Sequence, residues 1–127
     1  QMTSLRAAPD AGKKLLAETF QAAEDANVTT LAGVYHADHR ELVAHENAWP
    51  FEIVNFMELI GESMGLHRED LFKRYKLMQD VDAILAASKD MIEQNGLDLE
   101  TARDVVLNGM LGEQLLPTDR TLHPSSK

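Results

Sequence analysis

Apolar residues recur at three- and four-residue spacing along most of the sequence, and this periodicity constrains the fold more than any other feature. Between Asp10 and about Asn27, for example, Leu15, Leu16, Phe20 and Ala23 share one side of a helical pattern. No alternating run of the kind that marks a half-buried strand stands out. Only 6% of the residues are aromatic, which favours helices packed by aliphatic and methionine side chains. The sequence therefore predicts an all-α fold.

Turn and capping residues divide this pattern into about five helices. Pro50 ends one helix, Gly65 ends the next, and Asn95-Gly96 ends a long one. The helices are expected at about 10–27, 30–49, 51–64, 66–94 and 98–114. A chain of 127 residues has room for a single domain. We expect one compact, bundle-like helical domain over 10–116, with a flexible lead-in over 1–9 and a flexible polar tail over 117–127.

The charge balance and the missing residue types exclude several classes of function. Twelve Lys and Arg against 21 Asp and Glu give a net charge of −9, which disfavours nucleic acid and anionic membranes as partners. The sequence has no cysteine, so disulfides and thiolate metal sites are absent and a cytoplasmic location is expected. No glycine-rich phosphate loop or dinucleotide fingerprint occurs, and no organic cofactor is expected.

The methionines are predicted to belong to the core. In the third predicted helix, one side carries Ile53, Phe56, Met57, Ile60 and Met64, and we expect this side to be buried. Met78, Met91 and Met110 also fall at core spacing. We interpret these methionines as core residues that fill gaps, since a peptide-binding groove would require them to be exposed.

The opposite side of the third predicted helix carries a row of oxygen ligands. Asn55, Glu58 and Glu62 are spaced so that they share one helical face. Mg²⁺ and Mn²⁺ prefer oxygen ligands, and a cation would relieve the repulsion between the two carboxylates. The row predicts either a divalent metal site or an ordinary solvated acidic face.

Two aspartates fall within otherwise apolar stripes. Asp38 lies in the second predicted helix and Asp82 in the fourth. An unpaired carboxylate is costly to remove from water, so each needs a partner. We consider both as substrate-facing candidates. The alternatives are a structural pair with a Lys or Arg such as Lys89, or a stripe edge that is more solvated than the pattern suggests.

The second predicted helix also carries histidines on both of its sides. His36, His39 and Glu46 lie on the outer flank, where they offer three ligands for Zn²⁺ or form a hydrated surface of mixed charge. The hydrated surface is the expected arrangement. His45 and Trp49 lie on the inner line and are predicted to be packing residues.

A family resemblance covers the stretch from Glu52 to Asp82. Glu52-Ile53-Val54-Asn55, an apolar helix, Gly65-Leu66 and then Glu69-Asp70-Leu71-Phe72-Lys73-Arg74-Tyr75 follow one another in this order. The order resembles the all-α NTP pyrophosphatases of the MazG and dimeric dUTPase-like group. The resemblance implies a helical homodimer in which carboxylates hold Mg²⁺ against a nucleoside triphosphate that activated water hydrolyses.

Carried over by position, this resemblance assigns particular residues. Glu52 and Asn55 stand for a Glu-x-x-Asp pair, with Asn in place of the second carboxylate. Met78-Gln79 and Asp82 stand where the family pattern has a Lys-Asn pair and a further Asn. No Glu-Glu-x-x-Glu stretch precedes them. Together with the acidic row, the resemblance gives Glu52, Asn55, Glu58 and Glu62 as candidate ligands for Mg²⁺ or Mn²⁺.

Two functions follow from the sequence. The first is a divergent Mg²⁺-dependent nucleoside triphosphate pyrophosphohydrolase, whether still active or not. The second is a non-enzymatic acidic helical protein that works by association, as a homodimeric adaptor or as an inhibitor of a basic partner protein.

Overall fold

A computed structural model of the chain describes residues 6–124, and these residues form two compact units. The first unit contains the residues up to Glu69 together with those from Gln114 onward. The second unit is the intervening segment, Asp70–Glu113. The sequence predicts one helical domain over 10–116, whereas the structure divides this stretch between the two units. Most of the predicted lead-in, residues 1–5, and the last three residues of the predicted tail lie outside the described part of the chain.

The first unit combines helices with a small parallel sheet. Its elements are, in chain order, helix α1 (Pro9–Asp25), strand β1 (Thr30–Gly33), helix α2 (His36–Leu42), a 3₁₀ helix (Val43–Ala48), strand β2 (Glu52–Asn55), helix α3 (Phe56–Ser63) and a 3₁₀ turn (Arg120–Leu122). Strands β1 and β2 pair in parallel, with Leu31 opposite Ile53 and Gly33 opposite Asn55. The fold is therefore mainly α-helical, and the expectation of an all-α chain is wrong at these two strands.

Short β-branched stretches explain why strands form where helices were predicted. Thr30 begins β1 directly after Thr29, and Ile53 and Val54 form the centre of β2. Such side chains lose rotamer freedom in a helix and pack well on a sheet. Ile53 and Val54 are both buried, which is typical of a parallel strand covered on two faces. The predicted second helix thus begins only at His36, and the predicted third helix only at Phe56.

The core of the first unit forms around the inner face of α1. Leu16, Phe20 and Ala23 of this helix are buried as the periodicity predicts, and Ala17 is buried with them. Leu15, which the sequence places on the same side, is exposed, so the prediction is wrong at this residue. The Phe20 ring lies 5.1 Å from the His45 ring and 5.4 Å from the Trp49 ring, measured between centroids. Because His45 and Trp49 are buried in this cluster, their predicted role as packing residues is confirmed.

The segment predicted to be a polar tail takes part in the first unit. Leu115 and Leu116, directly before the predicted tail, are buried, the latter completely. Arg120 places its guanidinium carbon 3.8 Å from the centre of the Trp49 ring, and the His123 ring stacks on the same indole at 6.0 Å. Residues 115–124 therefore form part of the core and its border.

The second unit is helical throughout its described length. It consists of α4 (Leu71–Met78), α5 (Val81–Ala87), α6 (Lys89–Gln94), α7 (Leu99–Asp104) and a π-helix (Val105–Met110). The predicted fourth helix is thus three helices, with a left-handed residue at Gln79 (φ 50°) and a break at Ser88. Tyr75, Ile84, Leu85, Ala102 and Val106 form a buried cluster, and Met78 and Met110 pack against it. No helix within residues 6–124 is long and apolar enough to cross a bilayer.

Candidate functional site

Helix α3 begins with a capping box that fixes the side chains of Asn55 and Glu58. The Asn55 Oδ1 atom accepts a hydrogen bond from the Met57 N–H at 3.0 Å. In return, Glu58 Oε1 accepts one from the Asn55 N–H at 2.7 Å. These contacts satisfy backbone donors that the first turn of a helix leaves open. Two of the four predicted metal ligands therefore serve the start of the helix.

The Glu58 carboxylate also faces a buried histidine. His39 of α2 is 3% exposed, and its Nε2 atom lies 3.8 Å from Glu58 Oε1. A protonated His39 would form an ion pair with Glu58 at this distance. The expectation that His39 lies on a hydrated outer flank is wrong, because α2 turns this side chain toward α3. The contact joins residues far apart in the chain, so helical spacing gives no sign of it.

A pocket of about 620 Å³ opens beside α3. Its walls are Met57, Glu58, Gly61 and Glu62 of α3 and residues 66–69 of the following loop. That loop leaves α3 through a Schellman turn, in which Gly65 has φ 77° and the Leu66 N–H donates to the Gly61 carbonyl at 2.9 Å. The predicted helix end at Gly65 is thus confirmed.

Only part of the predicted ligand set meets at this pocket. Glu58 and Glu62 both line it, as their spacing on one helical face predicts. Glu52 and Asn55, in contrast, belong to β2, where residues three apart point to opposite faces of the strand. Glu52 is exposed and Asn55 half-buried. The helical spacing that joined Asn55 to the row does not apply to a strand residue, and Glu52, which the family resemblance added, does not line the pocket.

The two aspartates predicted within apolar stripes lie in different surroundings. Asp38 is a half-buried residue of α2 and is not among the residues that line the pocket. Asp82 of α5 keeps 80% of its side chain exposed and pairs with Arg103 of α7, with 2.5 Å between Nη2 and Oδ1. Asp82 therefore sits at a solvated edge with a partner other than Lys89.

The other side of α3 presents apolar residues to solvent. The exposed fractions are 39% for Phe56, 60% for Met57, 40% for Leu59, 37% for Ile60 and 70% for Met64. We call these five residues the α3 apolar face. No residue of α3 is buried. The prediction that Phe56, Met57, Ile60 and Met64 are core residues is therefore wrong, because the capping box and His39 hold the Glu58 side of the helix toward the protein.

Met91 is a further exception among the methionines. This residue of α6 is 42% exposed, whereas Met78 and Met110 pack against the core of the second unit as predicted. Met57, Met64 and Met91 therefore meet the condition that an interaction groove requires, namely that the methionines be exposed.

Sequence reasoning missed a buried carboxylate that organises the first unit. Glu41 of α2 accepts a hydrogen bond from the Leu115 N–H at 2.5 Å and another from the Arg6 guanidinium at 2.8 Å. Its side chain is 10% exposed. Glu46 has a similar local role, because its Oε2 atom accepts from the Ile53 N–H at 2.7 Å. Both acids are thus engaged with backbone donors.

A second polar cluster joins α1 to the segment around Arg120. The guanidinium of Arg120 donates to both carboxylate oxygens of Glu24, with 2.8 Å between Nη1 and Oε1. These hydrogen bonds and the charge of Arg120 lower the pKa of the Glu24 carboxyl below its ordinary value. The same bonds raise the pKa of Arg120. Arg120 and Trp49 border a cavity of about 290 Å³ whose remaining walls are largely polar.

The sequence matches no protein-family model, and no curated protein or solved structure is significantly similar to it. The functional argument therefore depends on the chain's own geometry. Two features distinguish that geometry, namely the α3 apolar face and the acidic pocket that adjoins it, with Met57 belonging to both.

Proposed function

We propose that this chain is a non-enzymatic interaction protein that binds an amphipathic helix through the α3 apolar face. The partner helix carries an apolar stripe flanked by Lys and Arg. The observation that carries this proposal is the exposure of α3, whose five apolar side chains reach solvent while Glu58 is held by the capping box beside His39.

The composition of the α3 apolar face supports binding to a protein. Phe56, Met57, Leu59, Ile60 and Met64 recur at the spacing that places them side by side along one helix. A contiguous exposed apolar surface on a water-soluble domain commonly marks an interaction site. Flexible methionine side chains adapt to varied apolar partners. The capping box and the Schellman turn hold both ends of α3 in place, which limits the entropy lost on binding.

Charge complementarity indicates a basic partner. The chain has a net charge of −9, and Glu58, Glu62 and Glu69 line the pocket that adjoins the apolar face, with Arg68 as a neighbouring cation. A second copy of the same chain would bring like charges together. A helix with Lys and Arg beside its apolar stripe instead meets charges of opposite sign, which favours encounter and fixes its orientation.

The direct test measures binding of synthetic amphipathic helices by fluorescence anisotropy. Two peptides share one leucine stripe, and their flanking positions carry either Lys or Glu. We expect the Lys peptide to bind and its affinity to fall with added salt. Replacing Ile60 by Glu should weaken that binding at least about tenfold. The matched control is Leu15→Glu, which places the same charge on an exposed apolar residue of α1 and should leave the affinity unchanged.

Three results would contradict the proposal. The Glu peptide could bind as well as the Lys peptide, or Leu15→Glu could weaken binding as much as Ile60→Glu. The third is a stable homodimer in sedimentation that Ile60→Glu dissociates, since the α3 apolar face would then be occupied by a second copy of the chain.

A second candidate function is the Mg²⁺-dependent pyrophosphohydrolase that the family resemblance implies. The observation in its favour is that Glu58 and Glu62 line the same 620 Å³ pocket, which has room for part of a nucleotide. In this proposal the two glutamates contribute ligands to Mg²⁺ or Mn²⁺. The other four candidates contribute to the site only if they approach this pocket, and they are Glu52, Asn55, Asp38 and Asp82.

Selective metal binding to the native state raises the melting temperature, which gives the test of this second candidate. We expect millimolar MgCl₂ or MnCl₂ to raise the melting temperature and Glu62→Gln to remove that rise. Glu62 is the better position to change because Glu58 also caps α3. Glu93→Gln, on an exposed site of α6, is the matched control. An unchanged melting temperature would eliminate the metal site.

A further inference from the structure

The second unit contains an apolar cavity that opens to solvent and reaches its core. The cavity has a volume of about 170 Å³, and its walls include Ile84, Ile92, Ala102, Val106 and Met110. Ile84 is 1% exposed and Ala102 4% exposed, so the cavity reaches the centre of the buried cluster. Dry apolar cavities of about 150 Å³ accept a ligand the size of benzene.

The polar side chains in the wall already donate their hydrogens to protein atoms. Ser88 Oγ donates to the Ile84 carbonyl at 2.7 Å, and Asn95 Nδ2 donates to the Met91 carbonyl at 2.7 Å. Tyr75 Oη lies 3.4 Å from the Ala87 carbonyl oxygen and donates to it. An apolar ligand leaves these three hydrogen bonds intact and contacts a wall that is otherwise apolar.

A π-helix forms one side of the cavity. In Val105–Met110, the Leu111 N–H donates to the Val106 carbonyl five residues earlier, at 2.8 Å. The π-helix brings Val105, Val106 and Met110 into the wall of the cavity. Single π-turns of this kind occur frequently at functional sites.

The mouth of the cavity is open and apolar. Met91, Leu97 and Val105 line the cavity and are 42%, 45% and 55% exposed. A ligand can therefore enter from solvent past apolar atoms, without unfolding of the unit.

We propose that this cavity is a binding site for a neutral apolar small molecule about the size of one aromatic ring. The volume sets the size of the ligand, and the apolar wall with its engaged donors sets its chemistry. This site lies wholly within residues 70–113 and does not depend on the function proposed for α3.

Toluene is the probe for this site, added to the whole protein and followed through methyl signals in NMR. We expect saturable shifts with one binding site, concentrated at the methyl groups of Ala102, Val106 and Met110. Imidazole, a polar ring of similar size, should produce no such shifts. Toluene should also raise the melting temperature, because it binds the native state.

Two tryptophan substitutions test the location. Val105→Trp places a large ring at the mouth and should weaken toluene binding at least about tenfold. Leu107→Trp makes the same change at an exposed residue of the same π-helix that does not line the cavity, and it should leave binding unchanged. The shift map of the unmodified protein does not depend on how either variant folds.

The proposal is overturned if millimolar toluene produces no saturable shifts or if the shifts lie outside the cavity wall. Equal binding of imidazole would overturn the assigned chemistry. An equal loss in Val105→Trp and Leu107→Trp would overturn the assigned position.

Discussion

Helices α1 and α3 belong to the same unit and have similar patterns of apolar and polar residues, yet only α1 buries its apolar side. Helix α1 buries Leu16 and Phe20 and exposes Glu18. Helix α3 buries no residue and exposes Met57 and Ile60, while its Glu58 faces the buried His39. The comparison teaches that periodicity separates two faces of a helix but does not determine whether the apolar face is buried. In α3 the capping box and the contact with His39 instead hold Glu58 beside the protein.

The largest expected effect comes from removing one ring from each helix. Phe20→Ala should lower the free energy of unfolding by about 3–5 kcal/mol, because Phe20 is completely buried among His45, Trp49 and Phe51. Phe56→Ala should cost about 1 kcal/mol or less, since Phe56 is already partly in water. Urea unfolding measures both values. Similar costs for the two variants would show that α3 is packed as tightly as α1.

The next effect concerns the buried carboxylate of α2. Glu41→Ala should destabilise the first unit by about 1–3 kcal/mol, because the Leu115 N–H and the Arg6 guanidinium lose a buried acceptor. Glu18→Ala is the matched control, since Glu18 is an exposed residue of α1 whose only described ion pair is with Lys14. Thermal unfolding measures the stability of both variants. A similar loss of stability in the two would contradict the role assigned to Glu41.

A smaller loss of stability is expected at the N-terminus of α3, where the Asn55 side chain caps the helix. Asn55→Ala should cost about 1 kcal/mol, because the Met57 N–H loses its side-chain acceptor. Asn55→Asp should retain the cap and most of the stability. Hydrogen exchange should show faster exchange of the α3 amides in Asn55→Ala while the α1 amides remain protected. Uniform loss of protection across both helices would contradict a local role for the cap.

The smallest expected effect is a pH dependence of the free energy of unfolding, which arises from Glu24 on the polar side of α1. Since Arg120 lowers the pKa of Glu24 in the folded state, folding favours the ionised carboxylate. This contribution to stability is fully present above the pKa that Glu24 has in the unfolded chain. It is lost as the pH falls through the lowered pKa that Glu24 has in the folded state. In Arg120→Ala, NMR titration should show the Glu24 pKa returning toward its ordinary value. Arg103→Ala, which removes the partner of Asp82, should leave the Glu24 pKa unchanged.

Local chemistry explains what the sequence predicted correctly. The apolar stripe of α1 at Leu16, Phe20 and Ala23 follows from helical spacing, and the ends at Gly65 and Gly96 follow from the left-handed backbone that glycine permits. Glu58 and Glu62 share a pocket because residues four apart share a helical face. Each of these features depends on residues close together in the chain.

The features that the sequence did not predict depend on distant residues. Strand β1 has only four residues, too few to show an alternating pattern, and the three-residue spacing of Leu31 and Val34 favours a helix. Its identity follows from pairing with Ile53 and Val54. The inward side of α3 depends in the same way on His39, which lies on another helix. A single sequence shows neither pairing.

The division of the first unit has a consequence for how the protein is made on the ribosome. Leu115 and Leu116 complete the core around α1, and the Leu115 N–H donates a hydrogen bond to the buried carboxylate of Glu41. During synthesis, all of residues 70–113 must therefore emerge before the earlier part of the chain can close its core.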